Sequence, residues 1–268
     1  MLKMTTKTYI YLLCIALTLA DARKTRGDKT VVLDDKLHDL FPRSDNVAWV
    51  PDPAGSGERV LRIFYRKGSY AGNRNDKGGY NYMVTNAFQP GNSVTLTYDI
   101  YFSPNFGFAR GGKLPGLFGG TGTCSGGTGT PTCFSTRFMW RREGAGEIYG
   151  YIPNEKGNWF CSHPDVHCNF QYGHSFGRGS FRFAVGRWQN FGQRITLNTP
   201  GRANGSMEIF YRGQSVYRIS GITFRNDRSI MIDKMYFSTF FGGSSDTSWA
   251  APSDCYTYYK NWKITRHN

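Results

Sequence analysis

Acidic side chains are scarce in this sequence. Its 33 lysines and arginines outnumber its 19 aspartates and glutamates, which gives a formal net charge of +14 at neutral pH. Such a surface raises the encounter rate with polyanions without selecting one of them. The charge therefore favours an acidic polysaccharide, a nucleic acid or an anionic membrane as partner, with a generic basic surface as the alternative.

Helical periodicity is also missing. No stretch of a dozen residues repeats its apolar side chains every 3.6 residues, which excludes a helical fold. Short runs alternate apolar and polar residues instead, and 33 glycines with 16% aromatics are typical of a sheet protein with many turns. These runs are residues 60–65, 93–102, 134–141, 147–152, 194–197, 207–211, 215–219, 234–240 and 261–265. We predict an all-β fold, a β-sandwich of the jelly-roll type.

A long apolar run occurs only near the N-terminus. Lys3 and Lys7 precede the apolar residues 9–19, and Ala20-Asp21-Ala22 follows. Because a membrane span needs about 20 apolar residues, the run is too short to be an anchor, and its flanks are typical of a secretory signal peptide. We predict that residues 1–22 are removed on export, leaving a secreted protein that is not membrane-bound.

The rest of the sequence contains no Pro/Ser linker and no repeat of 20 to 50 residues. Residues 23–268 are therefore predicted to be a single β domain, which begins with a loose basic leader at residues 23–29.

Cysteine usage agrees with export. The predicted mature chain keeps five cysteines, and the close pairs Cys124/Cys133 and Cys161/Cys168 lie in segments rich in glycine or proline, where a short disulfide would restrict a loop. Cys255 is then the odd thiol. The alternative is a zinc site, since His163 and His167 lie between the second pair. Their spacing fits no standard zinc pattern, so we predict no metal.

A hairpin is predicted where residues 134–142 (FSTRFMWRR) and 147–153 (EIYGYIP) flank a Gly-Ala-Gly turn. Alternation sends one set of side chains to the core. The other set comprises Ser135, Arg137, Met139 and Arg141 on the first strand and Glu147, Tyr149 and Tyr151 on the second. Either this is an ordinary polar face with aromatic cross-strand pairs, or it carries chemistry.

The chemistry that fits this face is β-elimination on a 4-linked uronate. That reaction needs a cation to neutralise the carboxylate, a base for the C5 proton and an acid for the leaving oxygen. Arginine or lysine supplies the first, and a phenol can perform either proton transfer. Because a nearby cation favours the phenolate, we expect a tyrosine here whose pKa lies below its ordinary value near 10.

A second conspicuous segment is residues 111–120 (GGKLPGLFGG). Glycine pairs flank Lys113, so the backbone could bend closely around a substrate while one ammonium reaches in. The segment lacks the spacing of a phosphate-binding P-loop. The alternative is a glycine-rich loop at a sheet edge with a solvated lysine.

These segments together resemble the alginate lyases of polysaccharide lyase family 14, known from herbivorous marine molluscs and a chlorella virus. The resemblance rests on GGKLPGLFGG, STRFMWR and EIYGYIP, and extends to residues 181–213 and the closing YYKNWKI. It covers roughly residues 61–264.

The resemblance implies a jelly roll with a concave substrate cleft and no cofactor. The family's essential residues fall on Lys113, Ser135, Arg137, Tyr149 and Tyr151, and its loop disulfides on Cys124 with Cys133 and Cys161 with Cys168. Lys113 and Arg137 would bind or neutralise the carboxylate. The two tyrosines would carry the protons, and Ser135 would hold substrate or a tyrosine. Lys113 could itself carry a proton.

Further expectations concern the substrate and the surface. Arg141, Glu147 and Trp188 are predicted to bind substrate, the last by stacking on a sugar ring if it does not belong to the core. Asn204-Gly205-Ser206 is a glycosylation sequon in a turn-like segment. We predict a monomer that cleaves alginate, with endo action on poly-mannuronate.

Rival functions remain open at this point. A glucuronan or other polyuronate lyase needs the same face, and a lectin could keep the cleft without the chemistry. A nucleic-acid-binding protein is disfavoured by export and by the lack of RNP-like or zinc-finger motifs.

Overall fold

The structure is a computed structural model that describes residues 27–76, 78–127, 131–153, 159–243 and 246–268. The predicted signal peptide, residues 1–22, lies outside the described residues. In chain order the elements are β1 (Lys29–Val32), α1 (Asp34–Leu40), β2 (Val47–Pro51), β3 (Arg59–Tyr65), β4 (Tyr80–Val84), β5 (Ser93–Phe102), β6 (Gly111–Gly120), β7 (Cys133–Arg141), β8 (Gly146–Tyr151), β9 (Val166–His167), β10 (His174–Phe176), β11 (Trp188–Thr196), β12 (Gly205–Tyr211), β13 (Gln214–Ile222), β14 (Ile232–Phe241) and β15 (Cys255–His267). Short 3-10 helices lie at Arg142–Gly144, Trp159–Ser162 and Thr247–Trp249.

The strands form two sheets packed as a sandwich, which confirms the predicted jelly-roll fold. Within the described residues, one sheet has eight strands in the order β13-β12-β11-β5-β15-β3-β2, with β1 also paired to β15. The other has seven strands in the order β4-β14-β6-β7-β8-β10-β9. Strands β6, β7 and β8 are neighbours near the middle of the seven-stranded sheet, so their side chains lie far from either sheet edge.

The main core lies between the two sheets and is strongly aromatic. Alternation along β5 buries Val94, Leu96, Tyr98 and Ile100, as the sequence pattern predicted. Tyr98 stacks on Trp262 of β15 with ring centroids 4.3 Å apart. Aromatic rings of this size supply most of the buried apolar area and fix the spacing of the sheets.

Residues 111–120 form a central strand, so the alternative of a glycine-rich loop at a sheet edge is wrong. The glycines serve close packing. A Cβ at Gly112 would lie 2.1 Å from the Trp140 ring, and one at Gly116 would lie 1.9 Å from the Thr136 carbonyl oxygen. Small residues here let β6 approach β7 and let bulky neighbours fill the space above the strand.

Helix α1 is not predicted by the sequence pattern either. It is only seven residues long and buries a single leucine, Leu37. A helix of two turns is too short to establish a 3.6-residue pattern in the sequence, and its stability comes from packing of this kind.

Both predicted disulfides are present, Cys124 with Cys133 and Cys161 with Cys168. Cys255 is a buried free thiol on β15. Since Cys161 and Cys168 bond to each other, they are not zinc ligands in this fold. Among the residues described, no helix has both the length and the apolar character needed to cross a membrane.

Candidate active site

The hairpin of β7 and β8 places the predicted polar residues on one face. Arg137 lies opposite Tyr149, Ser135 opposite Tyr151, and Met139 opposite Glu147. The alternate residues Phe138 and Ile148 are also paired and belong to the main core. A second, smaller apolar cluster contains Tyr151 with Phe118 and packs against Tyr149 and Tyr236. We call the side of the seven-stranded sheet that carries this cluster the outer face.

Lys113 extends from β6 onto the outer face. It pairs with Met139 in the β6–β7 ladder, next to a bulge that ends at Gly116. Its Nζ lies 3.3 Å from the Met139 sulfur and 3.7 Å from the centroid of the Tyr149 ring. The residue is 6% exposed, so the alternative of a solvated lysine is wrong.

Burial determines the electrostatics of Lys113. Desolvation, reinforced by the positive charges of Arg137 and Arg141, holds the pKa of Lys113 well below its ordinary value, against a smaller opposing effect of Glu147. An amine whose pKa is lowered in this way is neutral over a wider pH range and can accept a proton.

Arg137 is fully buried and fixed by partners that the sequence did not indicate. Its Nη1 donates to Ser238 Oγ at 2.8 Å, and its Nη2 donates to Ser125 Oγ at 2.9 Å. The guanidinium carbon lies 4.6 Å from the centroid of the Tyr236 ring and 5.2 Å from that of Tyr151. Ser125 and Ser238 come from a loop and a strand distant in sequence, so neither hairpin periodicity nor motif spacing could have identified them.

The two tyrosines of β8 lie side by side, with ring centroids 5.5 Å apart. The backbone N–H of Gly173 donates to the Tyr149 hydroxyl oxygen at 3.2 Å. Burial raises the pKa of Tyr149 to about 12, with a smaller contribution from Tyr151, while the Gly173 hydrogen bond and Arg141 act in the opposite direction. The expectation of a lowered pKa is therefore wrong for Tyr149, because desolvation of its phenolate outweighs attraction to nearby cations.

Ser135 holds the loop that contains Ser125, a hydrogen-bond partner of Arg137. Its hydroxyl donates to the Cys124 carbonyl at 2.8 Å, and the side chain is fully buried. This differs from the expectation that Ser135 holds substrate or a tyrosine. Its hydrogen bond fixes the disulfide-bonded turn from which Ser125 reaches the guanidinium.

Glu147 is fully buried, so the expectation that it contacts substrate is wrong. Its Oε1 accepts from Arg141 Nε at 2.8 Å, and its Oε2 accepts from Arg178 Nε and Ser175 Oγ, each at 2.6 Å. Burial alone would raise the pKa of Glu147, but these partners hold it below its ordinary value. Glu147 therefore positions two arginines, of which Arg141 was predicted and Arg178 was not.

Trp188 lies on the other sheet, so it does not belong to this site. On β11 the alternate residues Gln189, Phe191 and Gln193 are buried, and Gln193 contacts Thr136 of the opposing sheet. Trp188 therefore points away from the seven-stranded sheet, where its Nε1 donates to Asp52. Alternation gives the face of a strand but not the sheet to which the strand belongs.

The sequon residue Asn204 is exposed, and its side-chain oxygen accepts from the Thr199 N–H at 2.8 Å. Its glycosylation stays a prediction.

The fold and the outer face define a class, a β-sandwich protein whose site combines a buried lysine, three arginines and two phenols. The family model described as Polysaccharide lyase 14 matches residues 53–262. The chain belongs to polysaccharide lyase family 14, as the sequence resemblance indicated.

Solved structures of two alginate lyases are similar to this chain. The crystal structure of the marine PL-14 alginate lyase from Aplysia kurodai is 41% identical, with a TM-score of 0.73 over 82% of this chain and 87% of that one. Alginate lyase vAL-1 from Chlorella virus has the same fold at 23% identity, with a TM-score of 0.67 over 82% and 89% of the two chains.

A curated relative, an exolysin of Paramecium bursaria Chlorella virus 1, is 28% identical over 222 residues. The match covers 75% of this chain and 33% of the viral protein, so the chain spans about a third of the length of that relative.

Proposed function

We propose that this protein is an alginate lyase that cleaves poly-mannuronate internally by β-elimination and acts after export from the cell. The observation that carries the proposal is the contact between Lys113 and Tyr149, since Tyr149 also lies opposite the buried cation Arg137. Membership of polysaccharide lyase family 14 and the 41% identity with the Aplysia kurodai alginate lyase support the substrate. The N-terminal apolar run supports export.

In this mechanism Lys113 is the base. Its neutral amine takes the C5 proton of the uronate, since burial and two neighbouring guanidiniums oppose its protonation. Arg137 is buried beside the rings of Tyr151 and Tyr236, and a guanidinium keeps its charge at working pH. That charge offsets the substrate carboxylate and the negative charge that develops as C5 loses its proton.

Tyr149 is the acid. As the C4–O4 bond breaks and the C4=C5 double bond forms, its phenol gives a proton to the leaving oxygen. A pKa of about 12 keeps this phenol protonated before the reaction. Two adjacent groups whose environments move their pKa values in opposite directions are typical of an acid–base pair. The ammonium of Lys113 then returns its proton to Tyr149, which restores both groups.

Tyr151 forms the wall beside Tyr149 and covers the guanidinium of Arg137. It is the competing candidate for the acid. Replacing each tyrosine by phenylalanine separates the two. We expect Tyr149→Phe to lower kcat by about 10²-fold or more. A Tyr149→Phe enzyme of near-normal kcat beside an inactive Tyr151→Phe enzyme would transfer the acid role to Tyr151.

The direct test is a digestion panel of poly-mannuronate, poly-guluronate and glucuronan, followed by the ultraviolet absorbance of the unsaturated product. Lys113→Ala is the control for contaminating activity. We expect the fastest absorbance rise on poly-mannuronate and an early fall in viscosity, since internal cleavage shortens chains before much product forms. Activity on glucuronan alone, or absence of any unsaturated product, would overturn the proposal.

Export has its own test. Expression of the full chain in a secreting eukaryotic host, followed by N-terminal sequencing of the protein in the medium, should give a first residue near 23. Retention of the intact N-terminus inside the cell would contradict it.

A further inference from the structure

We propose that Arg141 and Arg178, held together by Glu147, form a second carboxylate-binding subsite that receives the uronate next to the one being cleaved. We call these three residues the arginine clamp. The inference rests on the proposed function, because it needs a chain of linked uronates as ligand.

The clamp is built around a buried anion. Glu147 is fully buried, and its two oxygens accept from the two arginines and from Ser175. Arg141 points its Nε and Nη2 at the same oxygen, at 2.8 and 2.7 Å. A buried carboxylate with this many partners holds long side chains in one geometry, which removes much of the entropy cost of ligand binding.

The arginines are not saturated by Glu147. A guanidinium has five N–H donors, and Arg178 uses only its Nε on Glu147. Its Nη1 and Nη2 bond to no group in the described part of the chain, and its side chain is 36% exposed. Arg141 is 17% exposed. The pair therefore presents donors with the fork geometry that suits a second carboxylate.

The clamp lies next to the reaction centre. Glu147 precedes Tyr149 by two residues on the same strand face, a distance of about 7 Å. Ser175, which also bonds Glu147, is paired with Tyr149 across β8 and β10. That separation is on the scale of one sugar unit, so a substrate whose carbon-bound proton meets Lys113 extends its neighbouring carboxylate toward the arginines.

The charge balance favours an anion here. Arg137, Arg141 and Arg178 outnumber Glu147, whose charge is enclosed by its partners. An incoming carboxylate therefore meets exposed N–H donors and a net positive field, with the buried anion shielded from it.

Binding measured without turnover tests the clamp. The parent protein is Lys113→Ala, and the ligands are free mannuronate and the mannuronate oligosaccharide of six units. Adding Arg178→Ala to the parent should weaken binding of the hexamer by about tenfold. Free mannuronate, which has one carboxylate and cannot fill both sites at once, should lose much less.

Arg182→Ala in the same parent is the matched control, because it removes one positive charge from an exposed arginine that pairs with Glu143. Equal effects of the two variants, or equal losses for free mannuronate and hexamer, would overturn the clamp as a subsite. Arg178→Lys keeps the charge but not the fork, and should recover only part of the affinity.

In the otherwise wild-type enzyme, Arg178→Ala should raise KM on the polymer with little change in kcat, as loss of a uniform binding interaction does. An unchanged KM would contradict the clamp. If the wild-type enzyme cleaves no uronate but the parent still binds the hexamer through Arg178, the proposed reaction fails and the subsite stands.

Discussion

The two faces of the β7–β8 hairpin are both largely buried but chemically opposite. On the inner face Phe138, Trp140 and Ile148 are fully buried in the main core, whereas on the outer face Arg137 and Glu147 are fully buried as ions. The inner face gains free energy from every apolar group removed from water. The outer face loses free energy on desolvation and recovers part of it through ion pairs and hydrogen bonds. One hairpin thus contributes stability through one set of side chains and reactivity through the other.

Lys113 gives the largest expected effect, because it is the proposed base and its amine is desolvated by burial. Lys113→Met should lower kcat by about 10²–10⁴-fold, the range for an acid–base group. The same change should stabilise the fold at neutral pH, since methionine fills similar space without a desolvated amine. Steady-state assays and denaturant unfolding measure the two effects. A Lys113→Met protein less stable than wild type would contradict the view that the desolvated groups of the outer face cost stability.

The pH dependence of stability follows from the direction of the Lys113 pKa. Because the folded pKa lies below the ordinary value of 10.5, the unfolded chain binds more protons between the two values. The contribution of Lys113 to stability therefore increases as the pH rises from its folded pKa to 10.5. The difference in the free energy of unfolding between Lys113→Met and wild type should therefore become smaller as the pH rises through this range. A difference that widens as the pH rises would show that folding does not lower the pKa of Lys113.

On the inner face we expect Phe138→Ala to cost about 3–5 kcal/mol of unfolding free energy. Phe138 packs against Tyr98 and Phe181 between the sheets, and the cavity left behind cannot collapse without moving them. At a temperature where the variant is folded, its kcat should stay within a few-fold of wild type. Phe170→Ala, at an exposed phenylalanine, is the control for stability. If kcat of the folded Phe138→Ala variant falls by much more than a few-fold, the two faces are coupled.

Gly173 tests how precisely the outer face must be held. A Cβ at Gly173 would lie 2.7 Å from Tyr149 Cε1 and 2.8 Å from the Gly150 carbonyl oxygen, so Gly173→Ala should displace the phenol. A misplacement of about 1 Å costs on the order of 10²-fold in rate. Gly242→Ala, whose Cβ would make only ordinary contacts, should be nearly silent. Equal kcat values for the two variants would contradict the role of Gly173 in placing Tyr149.

The smallest expected effect concerns the polar pair of the inner face. Thr136 Oγ1 donates to Gln193 Oε1 at 2.7 Å across the sandwich. Thr136→Val leaves the Gln193 carboxamide buried without this hydrogen bond, at a cost of about 1–3 kcal/mol. The double variant Thr136→Val/Gln193→Leu should recover most of that loss in thermal unfolding. A single variant as stable as wild type would mean that the pair contributes nothing net.

Much of the difference between the two faces of the hairpin can be predicted from the amino-acid sequence, because it depends on the alternation of side chains along each strand. The period of two is enough to assign Ser135, Arg137, Tyr149 and Tyr151 to one face, and it identifies β5 and β14 as strands. Strand β6 escapes prediction because its glycines weaken the alternating pattern, although they are required by the close approach of Trp140 and Thr136.

What the sequence could not predict depends on contacts between distant residues. Ser125 and Ser238 reach Arg137 from other elements, and Arg178 reaches Glu147 from the segment after β10. The direction of the Tyr149 pKa is missed for the same reason, since the degree of burial is a property of the assembled fold. Trp188 is wrongly assigned to the site because a strand pattern does not specify which sheet the strand joins.

The isolated thiol of Cys255 has a practical consequence. It is fully enclosed on β15, and burial raises its pKa to about 12, so very little thiolate exists in the native protein and no reagent reaches it. Alkylation can then proceed only through molecules whose sandwich has opened. Under native conditions the rate at which Cys255 is alkylated therefore reports how often the structure around β15 opens, without denaturant or an engineered probe.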